Sequence, residues 1–230
     1  VDNMSTITFK NVVSSDIGIM INRVVVPPSS QEDYQMISIP GRLEPLRSDL
    51  KTRQPIMITA EATIVEDNML RQIYSTFQGA GRLIISTEPD KYYNASAQVI
   101  TPDNIARYMN KITIGFECQP FAYAVNNDPV ELDISGSAAT IDVGGSYYCQ
   151  PIYQIAGSGN IILIVNSASL FTLYNVDGYV TVDTTTMMCH KNGLHVKSSG
   201  KLPFMSPGTN MISWSSNVTK MEVIKNERWL

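Results

Sequence analysis

Apolar and polar positions along this chain fall into two regimes, and the change between them lies near the middle. From Ile56 to Val65, Ile56, Ile58, Ala60, Ala62 and Ile64 alternate with Thr59, Glu61 and Thr63. A period of two places one set on a buried face and the other in solvent, which predicts a strand. Ile112, Ile114, Phe116 and Cys118 repeat the pattern over Lys111 to Cys118, and Arg82 to Ser86 reads as a shorter strand. Between them Leu70, Ile73, Tyr74 and Phe77 fall at i, i+3, i+4 and i+7, the stripe of an amphipathic helix covering a sheet. Asp67 is the expected N-cap and Gly79 the expected stop. At the start, Ser5 to Ile21 mixes β-branched residues with the turn residues Asn11 and Ser14-Ser15-Asp16, which suggests a short hairpin.

The stretch Arg23 to Lys51 belongs to neither kind. It contains Pro27, Pro28, Pro40 and Pro45, and only Tyr34 to Ile39 alternates like a strand. Yet Tyr34, Met36, Ile37, Ile39, Leu43, Leu46 and Leu50 make it too apolar for a solvated linker. It is expected to be an extended arm that a neighbouring surface orders. Beyond Asn126-Asn127-Asp128-Pro129 the pattern becomes short apolar runs separated by Gly, Asn, Ser and Asp: Ile161 to Val165, Leu170 to Tyr174, Tyr179 to Asp183, Leu194 to Lys197, Met211 to Trp214 and Met221 to Lys225. Runs of this spacing signal a β-sandwich or jelly roll. The expected organisation is therefore mainly β in two domains, 1–128 with the arm and one helix, and 129–230 all-β. A large aromatic beside a chain end tends to bury, so Arg228-Trp229-Leu230 is expected to pack back onto the first domain.

Composition narrows the function. The chain has 230 residues, a net charge of −4 and only 17% charged side chains, with no basic run. Phosphate binding needs a basic patch, so a nucleic-acid binder is excluded. No apolar stretch approaches the roughly 18 residues that span a bilayer. Val1 to Phe9 does not read as a secretory leader, and Cys118, Cys149 and Cys189 are odd in number and far apart. They are expected to be free, buried thiols made in a reducing cytoplasm.

Catalytic constellations are missing. The two histidines, His190 and His195, flank Asn192-Gly193, a strong hairpin-turn signal that would set them opposite each other. Cys189 would then point to the other face, and two ligands fall short of the three or four that a metal site uses. A solvated hairpin tip is the simpler reading. Gly79-Ala80-Gly81 follows a helix instead of opening one, so it cannot cradle phosphate. The expectation is a protein that is not an enzyme, with no cofactor and no metal. Aromatics in the second half leave one alternative, a carbohydrate-binding β-sandwich module for host cell-surface glycan, with Tyr153, Tyr174 and Trp214 as stacking candidates.

An ordered set of short motifs points elsewhere. Phe9-Lys10-Asn11 is followed by Ser15-Asp16-Ile17-Gly18, then by Ile39-Pro40-Gly41-Arg42 in the arm, Phe77-Gln78-Gly79 and Arg82-Leu83-Ile84 leading to Glu88-Pro89-Asp90-Lys91-Tyr92-Tyr93. Phe116-Glu117-Cys118-Gln119-Pro120-Phe121-Ala122 closes the first half. In the second half come Gln150-Pro151-Ile152-Tyr153-Gln154-Ile155-Ala156-Gly157-Ser158-Gly159, Val182-Asp183, Gly200 to Asn210 with Leu202-Pro203-Phe204-Met205-Ser206-Pro207-Gly208, and Arg228-Trp229-Leu230. Over nearly the whole chain this order resembles the distal tail proteins of long-tailed bacteriophages and prophages, the Dit family. One departure is Leu202 before Pro203, where the family carries Phe.

The resemblance implies an N-terminal β-sandwich-like domain with one helix and an arm, followed by a galectin-like jelly roll short enough to lack an inserted receptor-binding module. It implies a hexameric ring at the distal end of the virion tail, assembled in the host cytoplasm, with tape-measure protein and DNA passing through its channel. Its implied partners are the tail tube protein, a tail-associated lysin-like protein and a receptor-binding protein, with no membrane contact. Tyr34, Ile39, Pro40, Gly41, Arg42, Leu43 and Leu46 are the candidate ring contacts in the arm.

Overall fold

The structure, a computed structural model, describes residues 5–65, 70–106 and 109–230. The chain divides into two compact units, the first ending at Val125 and the second running Asn126–Trp229.

In the first unit Lys10 and Asn11, both at positive φ, turn β1 (Ile7–Phe9) back on β2 (Val12–Val13). A 3-10 turn at Ser14–Ile17 leads into β3 (Ile19–Val24). Then come β4 (Glu32–Ile37), β5 (Leu46–Arg53), β6 (Ile56–Ile64), α1 (Leu70–Thr76), β7 (Gly79–Ile85), β8 (Lys91–Ala106) and β9 (Met109–Ala124). Strands pair antiparallel in the order β2-β1-β7-β8-β9-β6-β3. Ser5, just ahead of β1, bridges to Ile21 of β3, so the two ends of the sheet meet. The sandwich-like character expected here takes the form of one sheet curled closed.

The alternation read in β6 is the reason it closes around a core. Ile56, Ile58, Ala60, Ala62 and Ile64 all point inward, as do Ile112, Ile114, Phe116 and Cys118 of β9. At the centre Phe77 sits 5.9 Å from Phe9 and 6.1 Å from Phe116, ring centre to ring centre. The helix is shorter than its stripe suggests. It buries Ile73 and, just past its end, Phe77, but Tyr74 is exposed. Gly79 does not stop it: Gly79 already pairs with Ala97 as the first residue of β7, so the chain must leave the helix by Thr76. Asp67 lies outside the described residues.

The second unit contains β10 (Val130–Glu131), β11 (Ala138–Val143), β12 (Ile152–Val165), β13 (Ser169–Asp183), β14 (Met188–Lys191), β15 (Leu194–His195), β16 (Ser198–Gly200), β17 (Gly208–Trp214) and β18 (Val218–Ile224). β12 and β13 form one long hairpin that takes part in both layers of a sandwich. Their outer halves, from Ile152 and Asp183, pair with β18 and β14; their inner halves, around Leu163 and Phe171, pair with β17 and β16. The register breaks between Gly159 and Ile161, and this bulge bends the hairpin from one layer to the other. Gly157 is needed beside it, because a Cβ there would stand 2.5 Å from the Asn217 carbonyl oxygen. Tyr153, Ile155, Leu163, Phe171, Val180 and Met221 fill the space between the layers. The separate runs Leu170 to Tyr174 and Tyr179 to Asp183 are thus one strand.

Candidate functional site

Among the described residues β4 and β5 pair only with each other. Register runs through Tyr34↔Asp49, Gln35↔Ser48, Met36↔Arg47 and Ile37↔Leu46, so Tyr34 and Met36 occupy one face of the hairpin and Ile37 and Leu46 the other. An isolated two-stranded hairpin is marginal in water, since it has no third layer to bury either face. Three local devices hold this one. At the root, Arg53 donates to the Ser30 carbonyl at 2.8 Å and reaches Glu32 at 3.3 Å, while the Gln54 amide donates to the Gln31 carbonyl. Midway, the Arg47 guanidinium lies 4.3 Å over the Tyr34 ring and donates to Asp49 at 2.8 Å. That hydrogen bond, with the charge of Asp49, raises the Arg47 pKa above its ordinary value. At the tip, the Arg42 amide donates to the Ile39 carbonyl, with Gly41 at φ 83°. Pro40 and Gly41 thereby occupy the two central positions of a type II turn, where Pro pre-sets φ and only Gly takes the positive φ cheaply.

All seven candidate contacts lie in this one element. Leu43 is wholly exposed at 104% of its reference surface, and Tyr34, Met36, Ile37, Ile39, Leu46 and Leu50 are also exposed. Such a concentration of uncovered apolar side chains is the usual mark of a contact surface. The sequence located the segment but missed β5, whose Arg47, Ser48, Asp49, Lys51 and Thr52 show no apolar alternation because neither face is buried.

The sugar-stacking candidates fare differently. Tyr153 is 0% exposed and its hydroxyl donates to the Pro203 carbonyl at 2.6 Å; Trp214 is 7% exposed. Both point between the layers, so neither can stack on a ligand. Tyr174 is half-buried, its hydroxyl 2.9 Å from that of Ser199. An exposed ring of the second unit that lines a cleft is Tyr148, 5.8 Å from Phe204, beside Asn166 and Lys201. Asn166 is committed at both ends of its amide, to Asn210 and to the Met211 amide. Nothing in the alternation pattern distinguishes Tyr148 from its buried neighbours.

His190 and His195 pair across the Asn192-Gly193 turn, and Cys189 is buried on the opposite side. Among the described residues no three His, Cys, Asp or Glu side chains gather as metal ligands. Cys118, Cys149 and Cys189 are free and buried, and burial pushes the Cys118 thiol to about 12 and that of Cys149 to about 11.

Comparison with known proteins bears on this geometry. The family model for the phage tail protein RIFT-related domain matches residues 53–118, from the root of the arm through β6 to β9. No curated protein matches the sequence. Among solved structures, the Dit protein of phage SPP1, described as a paradigm of hub adsorption apparatus in Gram-positive infecting phages, superposes with a TM-score of 0.76 at 13% identity, covering 99% of this chain and 100% of that one. Residues 53–118 are thus similar to the phage tail RIFT-related domain, and the chain from end to end shares the fold of that Dit protein.

Proposed function

We propose that this chain is a structural hub of a long-tailed phage tail tip, assembling head to tail into a ring, of six copies by the family resemblance, through the β4–β5 arm. The ring would join the tail tube to a tail-associated lysin-like protein and a receptor-binding protein in the virion, and its channel would pass DNA. The observation that carries the reading is the arm itself: a tightly turned hairpin with exposed apolar side chains on both faces. A contact between different patches of identical subunits closes into a ring when its rotation allows. A prebuilt hairpin also lowers the ordering cost of docking. The role calls for contacts and no chemistry. Replacing Glu32–Arg53 by a short Gly-Ser linker tests it. The expected product is a monomer, by native mass spectrometry, that melts like the parent barrel. An unchanged ring would refute the arm as the clasp.

The alternative glycan reading retains Tyr174 and gains the Tyr148–Phe204 cleft. Glycan-array signal lost in Tyr148→Ala would support it, and a silent array on the parent protein would remove it.

A further inference from the structure

The arm needs an acceptor, and the first unit offers one at the arm's own root. A cleft of about 560 Å³ lies across β7, β8 and β9, and its rim includes Arg53 and Pro55. Register lines up Ala80, Ser96, Glu117 and Met57 across its sheet in one row, with Arg82 and Asn94 in the next. Glu117 and Arg82 are exposed, while the half-buried Arg53 on the rim is engaged with the Ser30 carbonyl and Glu32, so the cleft offers one negative and one positive exposed group beside Ala80 and Pro55. The tip of the arm reads Arg42-Leu43-Glu44, an exposed apolar side chain flanked by one charge of each sign.

We propose, resting on the ring reading above, that the tip of one copy seats Leu43 in this cleft of the next copy, with Arg42 facing Glu117 and Glu44 facing Arg82. The occupant must come from a second copy. Leu46 to Arg53 is seven steps of extended strand, about 23 Å at the usual strand rise, so the tip cannot turn back into a cleft rimmed by its own root. Because the acceptor begins where the donor ends, each docking event leaves the same contact open for a further copy. That is the repeat a head-to-tail ring requires. The two flanking charges fix the direction of the tip in the cleft, since the reversed seating would set like charges together.

The test is photocrosslinking of the full chain with Leu43→p-benzoylphenylalanine, assembled from an equal mixture of ¹⁴N and ¹⁵N protein. Mixed-isotope links from position 43 to residues 53–55, 80–82, 94–96 or 117–120 are expected. Glu117→Arg should raise the assembly midpoint at least tenfold without moving the melting temperature, and adding Arg42→Glu should restore most of it. Rings whose links fall on another segment, with no rescue, would overturn the cleft and leave the arm reading standing. Failure of the parent chain to assemble, at any concentration and with tail-tube protein present, would overturn both.

Discussion

Exchanging the cross-strand pair Ile37 and Leu46 for serine weighs the arm as a contact surface. These two side chains are 40% and 43% exposed, so about three-fifths of each is already covered within the arm. Fully burying an Ile or Leu side chain is worth about 1.5–3 kcal/mol, and the uncovered share is therefore worth about 1 kcal/mol apiece to a neighbour. Losing both should weaken each subunit contact by about 2 kcal/mol, roughly thirtyfold in its dissociation constant. Loss of the pair inside the hairpin, about 0.2–1 kcal/mol, acts in the same direction by loosening the arm before it docks. The barrel should not notice, because surface substitutions stay within about 0.5 kcal/mol. Mass photometry over a dilution series reads the assembly midpoint, and a thermal melt reads the fold. Leu194→Ser, at an exposed hairpin turn of the second unit, is the control and should leave the midpoint in place. If the double variant assembles at the parent concentration, the apolar faces of the arm are not a contact surface. If the control weakens assembly equally, general surface hydrophobicity is responsible and the arm is not special.

Three further outcomes follow from the cores. Tyr153→Phe leaves the buried Pro203 carbonyl without its donor and should destabilise the second unit by about 1–3 kcal/mol in calorimetry, a near-neutral result refuting the buried hydrogen bond. Gly157→Ala would put a methyl 2.5 Å from the Asn217 carbonyl oxygen and 2.8 Å from an Ile161 methyl, costing about 1–3 kcal/mol and read by the same melt. The thiols should be silent toward a disulfide reagent at pH 8 in the native protein, and all three should react after unfolding. Because the folded Cys118 and Cys149 keep their protons to about 12 and 11, the unfolded chain releases its thiol protons first as pH rises from about 9. Their contribution to stability is full below that pH and is lost above it. Cys118→Ala should flatten the alkaline fall of stability, measured by denaturant titration at pH 8 and pH 10.5.

How much of this was legible in the sequence depends on whether a side chain's burial follows from a period. Ile56 to Ile64 and Ile112 to Cys118 line a core on one face only, so their alternation survives in the sequence and both strands could be read from it. Leu46 to Arg53 has no core to face, and its polar composition hid a strand whose order comes from the Ser30, Glu32 and Asp49 contacts. In the second unit Gly159, Asn175 and Gly178 look like turn residues because they take positive φ, yet they serve to bend β12 and β13 without ending them. The aromatic residues misled for a related reason. Tyr153 shares its inward parity with Ile155, which marks it as core, but a lone ring in a short run carries no label for the side it faces. The arm was found through a contradiction, too apolar for a linker and too irregular for a core strand, and that contradiction holds in the structure as exposed Tyr34, Met36 and Leu43. The acceptor cleft left no such trace, since Glu117, Arg82 and Pro55 come together only through the register of four elements.

The hairpin of β12 and β13 has a mechanical meaning. A sandwich whose layers meet only through side chains can shear, one sheet sliding over the other once packing yields. Here both layers are sewn through by the same two lengths of backbone, bent at the Gly159 bulge and laddered to each other on either side of it. Tension entering at the β11–β17 edge crosses the β17–β12 ladder, runs along the β12 backbone past the bulge, and leaves through the β12–β18 ladder to β10. In the tail-hub role proposed above, this would make the second unit a strut whose two layers resist sliding past each other.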